Sequence, residues 1–290
     1  MKKFNVLSSF ILKIVALVTM TFDHVGYALI MYSINDQLGL IFRIIGRLAM
    51  PLFCFMIAEG VIHTKSFGKY ILKMGIVGVM VLIAQIVMHF GFQIPLVQGN
   101  IYLDLILGAV AIKCLMDKRI YIKLLALLPL LYGVASFIFD GIEGWMGNYF
   151  WYLPYFVRTQ YSFYGIALII CFYLSYKMAS FGLGLLGLDK DLYKGSNMER
   201  IFVNSISAGF LIVITCLYYL LGWILSSNGL DDFVTWMLGI QNYAMISGAL
   251  ILLYSGLRGY NKAWFKYGSY LYYPLHLLII GLIFYIPNLL

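Results

Sequence analysis

Ser8–Tyr32 reads SSFILKIVALVTMTFDHVGYALIMY, an apolar stretch that carries Lys13 and the adjacent pair Asp23 and His24. About 20 apolar residues span a bilayer, and an ionisable side chain near the centre costs at least a few kcal/mol. Three such groups in one span therefore point to work done inside the membrane. Lys13 and His24 are eleven residues apart. On an ideal helix they share nearly the same face, about three turns and about 16 Å apart. A basic group below and an imidazole above would line one inward-facing track.

The rest of the chain fits that beginning. Of its 290 residues, 63% are hydrophobic and only 11% charged, with a mean hydropathy of +0.91. Soluble domains are about a quarter charged, so that class is excluded. The apolar residues arrive in long blocks joined by short polar loops, as in an all-α, polytopic integral membrane protein with the lipid bilayer as its first partner. No linker or composition break divides the sequence, so one integral membrane domain is expected over residues 1–290. The net charge of +8 is no nucleic-acid signal, because the basic residues sit in alternate loops rather than in one patch. Lys2 and Lys3 precede the first apolar run as in a signal peptide, but no small-residue cleavage site follows, and an uncleaved first span is expected. Cys54, Cys114, Cys171 and Cys216 are isolated, with no CxxC spacing, and read as packing residues.

Nine spans are expected near residues 8–32, 38–62, 69–91, 100–117, 120–140, 161–186, 201–225, 233–257 and 267–288. Basic residues mark one set of loops: Lys2 and Lys3; His63, Lys65 and Lys69; Lys118, Arg119 and Lys123; Lys190, Lys194 and Arg200; Arg258, Lys262 and Lys266. The intervening loops hold Asp36, Asp140 with Glu143, and Asp231 with Asp232, and Arg158 is their one basic residue. The positive-inside rule then sets the N-terminus in the cytoplasm and the C-terminus outside. Trp145–Gln160 is short and aromatic, which suits an outer interfacial helix or re-entrant segment; were it to cross, the count would be ten.

The second span reads FRIIGRLAMPLFCFMIAEG over residues 42–60. Arg43 and Arg47 lie four apart on one face, Gly46 lets another helix come close, and Pro51 predicts a kink. Two guanidiniums in lipid need anions. Asp23 or Asp104 from other spans would serve in a structural network; a phosphate or a developing oxyanion would serve in a functional one. Glu59, near the inner end, is expected to meet a loop lysine. Of the four histidines, His63 reads as a solvated loop residue and His89 as an interfacial one. His276 sits mid-span beside Pro274, equally suited to a buried structural role. His24 differs, since an acid precedes it and a cation shares its face. Acids and histidines spread singly over different spans lack metal-ligand spacing, so no metal site is expected. There is no GxSxG elbow and no phosphate loop.

Several motifs then stand in order: DHVG at 23–26, GRLAMPLFCFMIAEGVIHT at 46–64, KYILKM at 69–74 and YLYYPLHL at 270–277. Together they resemble the TraX family, which is similar to the wider acyltransferase family 3 membrane enzymes. Those carry an arginine in the first span and, ten intervening residues later, a histidine. Here Lys13 and His24 hold the spacing, with lysine in place of the arginine and so without its bidentate fork. The resemblance implies roles for Asp23, His24, Arg47 and His276. It also implies a membrane acyltransferase that moves an acetyl group from cytoplasmic acetyl-CoA to an envelope acceptor, a pilin-like protein N-terminus or a glycan. His24 would be the base, Asp23 would hold its tautomer, and Arg47 would face the oxyanion. Lys13, Arg43 and Lys69 would hold the polyanionic donor, aided by the basic inner rim. Direct transfer and an acetyl-histidine intermediate both remain open, as does a transporter or flippase without covalent chemistry.

Overall fold

The computed structural model describes residues 6–92, 99–146, 152–187, 195–231, 234 and 239–285. It is 82% helical, with no strand among the described residues. The helices are α1 (Ser9–Met31), α2 (Asp36–Gly46), α3 (Ala49–His63), α4 (Phe67–Phe92), α5 (Ile101–Leu115) and α6 (Ile120–Leu124). They continue with α7 (Leu127–Met146), α8 (Ser162–Leu185), α9 (Asn197–Ser227), α10 (Ser247–Leu252) and α11 (Ala263–Tyr285). Single 3-10 turns occupy Tyr155–Val157 and Ile240–Ile246.

Among the described residues, seven helical runs are long and apolar enough to cross a membrane, which makes this a multi-pass membrane protein. Two of the nine expected spans differ. Residues 100–117 hold only the 15-residue α5, and in 233–257 the described apolar helix is Ile240–Leu252. Capping and turn residues shorten the first, while the second lies partly outside the described residues. Asn100 caps α5 at its start, and Asp117 with Arg119 closes the turn at its end, where the Arg119 fork draws the Asp117 carboxyl down to about 2. Trp145–Gln160 is no tenth crossing: from Tyr152 onward it is irregular chain around one 3-10 turn, while residues 147–151 lie outside the described residues.

Local chemistry explains the element boundaries. Ser8 and Asn35 cap α1 and α2, accepting from Ile11 and Leu38 backbone N–H groups at 3.4 and 3.0 Å. The second span is two helices rather than one kinked helix. Pro51 has no N–H to give the Arg47 carbonyl, so the run breaks after Gly46 and restarts with Pro51 in the first turn of α3, where a missing donor is tolerated.

Two compact units are formed, one by Met1–Met56, Cys171–Thr215 and Ile240–Leu290, the other by Ile57–Ile170 and Cys216–Gly239. In the first, α1 and α2 make a hairpin whose crossing depends on glycine. A Cβ on Gly26 would meet the Gly39 carbonyl at 2.6 Å, and one on Gly46 would come 2.6 Å from the Asp23 Cα. Helices without a hydrophobic drive between them gain from this close backbone packing. On the other side α1 meets α11, and the register is constant: Lys13 lies over Phe265, Thr21 bonds Tyr272, and His24 bonds His276. Both numbers rise together, so the two helices run parallel. Their leading segments run together as well, Leu7 N–H and Phe10 N–H donating to the Leu253 and Arg258 carbonyls. Gly259 (φ +69°) makes room there, since a Cβ would sit 2.8 Å from that of Ser8. Further in, Phe55 packs edge-on against Phe172 and Tyr254, and Arg200 stands over Tyr254 and Tyr176.

The second unit is pinned by polar side chains. Arg158, 0% exposed, forks onto Glu143 at 2.6 and 2.7 Å and reaches Asp140 at 2.8 Å; its Nε donates to the Leu153 carbonyl at 2.6 Å. Asp104 is equally buried and accepts the Gln160 and Tyr161 backbone N–H groups at 2.7 and 3.0 Å. The segment before α8 is thus held from two sides. Asp104 therefore serves the chain at 160–161.

Removing one member of a buried ion cluster leaves its partners uncompensated, at about 3–5 kcal/mol. Arg158→Met is expected to lose that much stability in reversible unfolding from mixed micelles, with the loss partly restored when Glu143 is also replaced by Gln. Wild-type stability in the single variant would mean that the cluster holds nothing.

Candidate functional site

The helix break at Arg47 decides where that side chain goes. At the end of α2 it folds back, and each guanidinium nitrogen donates within the protein. Nη2 meets Asp23 Oδ1 on α1, Nη1 meets Gln241 Oε1 at 3.2 Å, and Nε meets the Arg43 carbonyl at 3.3 Å. Arg43 Nε lies 3.9 Å from the same Asp23 oxygen, and its guanidinium stands 5.2 Å from the Tyr27 ring centre. Two cations face one carboxylate, so these three side chains sum formally to one positive charge. Gly46 is what lets α1 come near enough for it.

One residue along α1 from Asp23, the His24 ring turns toward α11. Its Nδ1 lies 2.8 Å from His276 Nε2, and His276 Nδ1 lies 2.9 Å from the Tyr272 carbonyl oxygen. His276 also stacks on the Tyr272 ring at 5.2 Å, and Tyr272 in turn bonds Thr21 at 2.6 Å. These contacts fix the protons. A carbonyl only accepts, so His276 Nδ1 carries a hydrogen and, in a neutral ring, His276 Nε2 is the acceptor. His24 Nδ1 must then donate to it, which leaves the lone pair on His24 Nε2. The backbone of α11 thereby sets the reactive nitrogen of α1 through a relay of one ring.

The site differs from what the sequence predicts in three ways. Asp23 does not orient His24; it is taken by Arg47, and His276 does the orienting. The reason is angular, since adjacent residues on a helix point about 100° apart. Arg47, expected as an oxyanion clamp, donates from each of its three nitrogens within the protein. The third concerns Glu59, which lies 3.6 Å from His63, one turn on, a pairing not expected from the sequence.

Two further candidates are Lys13 and Lys69. Lys13 is half-buried, with Nζ 6.0 Å from the Phe265 ring centre. Lys69 is exposed in the first turn of α4, in the second unit. The His89 side chain lies outside the described residues. Gln241 has no signal in the sequence, being a lone glutamine in GIQNYAM. Nor does the sequence pair His24 with His276, although each imidazole lies within an apolar helix of its own. Among the described residues no three His, Cys, Asp or Glu side chains gather as a metal site would need.

Against known proteins, the family described as TraX protein matches residues 8–184, more than half of the chain. The chain belongs to the TraX family. That match contains Asp23, His24, Arg43 and Arg47; Gln241 and His276 lie beyond it. A relative among characterised proteins is the probable fimbrial assembly protein FimC, serogroup H1, of Dichelobacter nodosus. It is 36% identical over 73 residues, which cover 25% of this chain and 29% of the relative. The chain thus spans under a third of that protein's length. No solved structure matches.

The proton assignment in this TraX-family protein can be read directly. With His63 and His89 replaced by Gln, nitrogen-15 spectra of the two remaining rings in lipid are expected to show hydrogen on Nδ1 and a bare Nε2 in each. His276→Gln still offers an oxygen to His24 Nδ1 and should keep that form. His276→Leu should let the His24 proton distribute over both nitrogens. A wild-type His24 protonated at Nε2 would break the relay.

Proposed function

We propose that this TraX-family protein is a membrane acyltransferase that takes an acetyl group from acetyl-CoA and places it on an envelope acceptor, with His24 as the base. The observation that carries the reading is the histidine pair, one ring of which is anchored on a backbone carbonyl so that the other keeps a bare nitrogen, one residue along α1 from the Asp23 that the arginines share. Simple packing needs no such arrangement. The Lys13 to His24 spacing, which resembles that of acyltransferase family 3, supports acyl transfer in particular. The name of the Dichelobacter relative supports an acceptor in pilus or fimbrial assembly, such as a pilin-like N-terminus, with an envelope glycan as the other choice.

In this mechanism the acceptor O–H or N–H gives its proton to His24 Nε2 as its heteroatom attacks the thioester carbon. The tetrahedral intermediate then collapses, the C–S bond breaks, and the leaving thiolate takes the proton back from His24. While His24 is protonated at both nitrogens, its Nδ1 proton can pass to His276 Nε2, spreading the charge over two rings. The surplus positive charge from Arg43 and Arg47 favours the negative charge that develops on the carbonyl oxygen. Arg43 and the half-buried Lys13 bind the donor, and exposed Lys69 attracts its phosphates through the field of the basic loops.

Acetyl-CoA is cytoplasmic, so the reading needs the basic loops inside, the N-terminus with them and the C-terminus outside. A cysteine placed at Asn35 should react with an impermeant thiol reagent in intact cells of a strain whose native cysteines are removed, and one at Ser66 should not. Labelling at Ser66 would reverse the orientation.

Activity is tested by CoA release from acetyl-CoA when purified protein in liposomes meets pilin or an envelope-glycan extract. His24→Gln keeps size and hydrogen bonding but removes the base, and turnover should fall about 100-fold or more with folding intact. A folded His24→Gln variant with wild-type turnover would exclude His24. Wild-type protein that binds the envelope precursor, moves it across liposomes and releases no CoA would instead be a transporter.

A further inference from the structure

Gln241 lies in the 3-10 turn Ile240–Ile246 and is 5% exposed. Its carboxamide has two ends with different fates. The oxygen accepts from Arg47 Nη1 at 3.2 Å, and because a guanidinium only donates, this contact fixes which end is oxygen and which is nitrogen. The nitrogen is buried, carries two N–H bonds, and has no hydrogen-bond partner among the described residues. Buried donors are nearly always paired, so an unpaired one calls for an occupant with an accepting atom.

We infer that the Gln241 N–H is the donor that holds the thioester carbonyl oxygen of the acyl donor, with Arg47 acting through it as a positioning residue. This rests on the acyl-transfer reading above. Two features select a carbonyl over a phosphate. The donor is a neutral amide, and the adjoining Arg43, Arg47 and Asp23 leave only one positive charge in surplus. A phosphate would bring its charge on binding and keep it throughout. A carbonyl oxygen arrives neutral and becomes negative only as the acceptor adds to the carbon and the C=O electron pair moves onto oxygen. The amide and the surplus charge then count most at the transition state. When the C–S bond breaks, the pair returns to the C=O bond and the thiolate takes the proton from His24 Nε2. Arg47 in turn is held by Asp23 and the Arg43 carbonyl, which keeps the amide from rotating.

Two substitutions separate donor from anchor. Gln241→Glu keeps an oxygen for Arg47 but removes the N–H bonds; Gln241→Met removes both. The probes are acetyl-CoA and S-ethyl-CoA, which has a methylene in place of the carbonyl, titrated against full-length protein in liposomes. Wild-type protein is expected to prefer acetyl-CoA by about 5-fold, the scale of one hydrogen bond, and both variants to lose the preference. CoA-release turnover should fall about 100-fold in both. A Gln241→Glu variant with wild-type preference and turnover would overturn the inference while leaving acyl transfer intact. Carbonyl preference without CoA release from any acceptor would uphold the donor and remove the transfer reading. Wild-type protein with no preference between the two probes would overturn the inference, the amide then serving water alone.

Discussion

Burying a guanidinium among membrane-spanning helices is tolerable only if an anion reaches it, and Arg47 meets Asp23 across the tightest crossing in the first unit. Much else follows from that contact. Gly46 has to lack a side chain so that α1 can approach, Pro51 has to end α2 so that Arg47 can fold back, and Gln241 is drawn in by a second guanidinium nitrogen. Once Asp23 is fixed there, its neighbour on α1 faces another way. His24 is then left for a partner on a different helix, and α11 supplies it.

The two polar systems of the first unit therefore divide the labour. One is ionic, held by Arg47 and Asp23, and it carries the surplus charge. The other is neutral and directional, running from the Tyr272 carbonyl through His276 to His24. Adjacent residues of one helix, Asp23 and His24, belong to different systems because successive side chains diverge by about 100°. A site that needs both a field and a bare nitrogen can be built from a single dipeptide in this way. The second unit uses buried charge differently: Arg158 and Asp104 tie irregular chain to helices, which is what backbone at membrane depth requires if it is not helical.

The membrane class and most helices were legible because apolar runs and basic loops follow directly from the cost of charge in lipid. Asp23, His24, Arg43 and Arg47 were legible for the same reason, as ionisable residues where few are tolerated. The pairing of the arginines with Asp23 was legible only as one of two alternatives, Asp104 being the other, and the partner of His24 was not legible. The preference of Asp23 for Arg47 over His24 depends on the angle at which α1 and α2 cross. The meeting of His24 with His276 depends on a register between helices at opposite ends of the chain. Gln241 is uncharged, so no hydropathy argument flags it. The short α5 has another cause. Its apolar run is bounded by the capping residue Asn100 and the turn residue Asp117, whose effect on helix length outweighs the hydropathy of the window.

That parallel pairing of α1 with α11 has a consequence in time. His24 and His276 are separated by 252 residues. At about 5–20 residues per second of synthesis, roughly 10 to 50 s pass between the making of the two rings. During that interval His24 is already in its helix while nothing on α11 exists to orient it. A nascent or truncated chain can thus bury its first span and form the arginine cluster, yet it holds no histidine pair. Synthesis of α11 acts as a birth certificate for the site, issued long after α1 is in place.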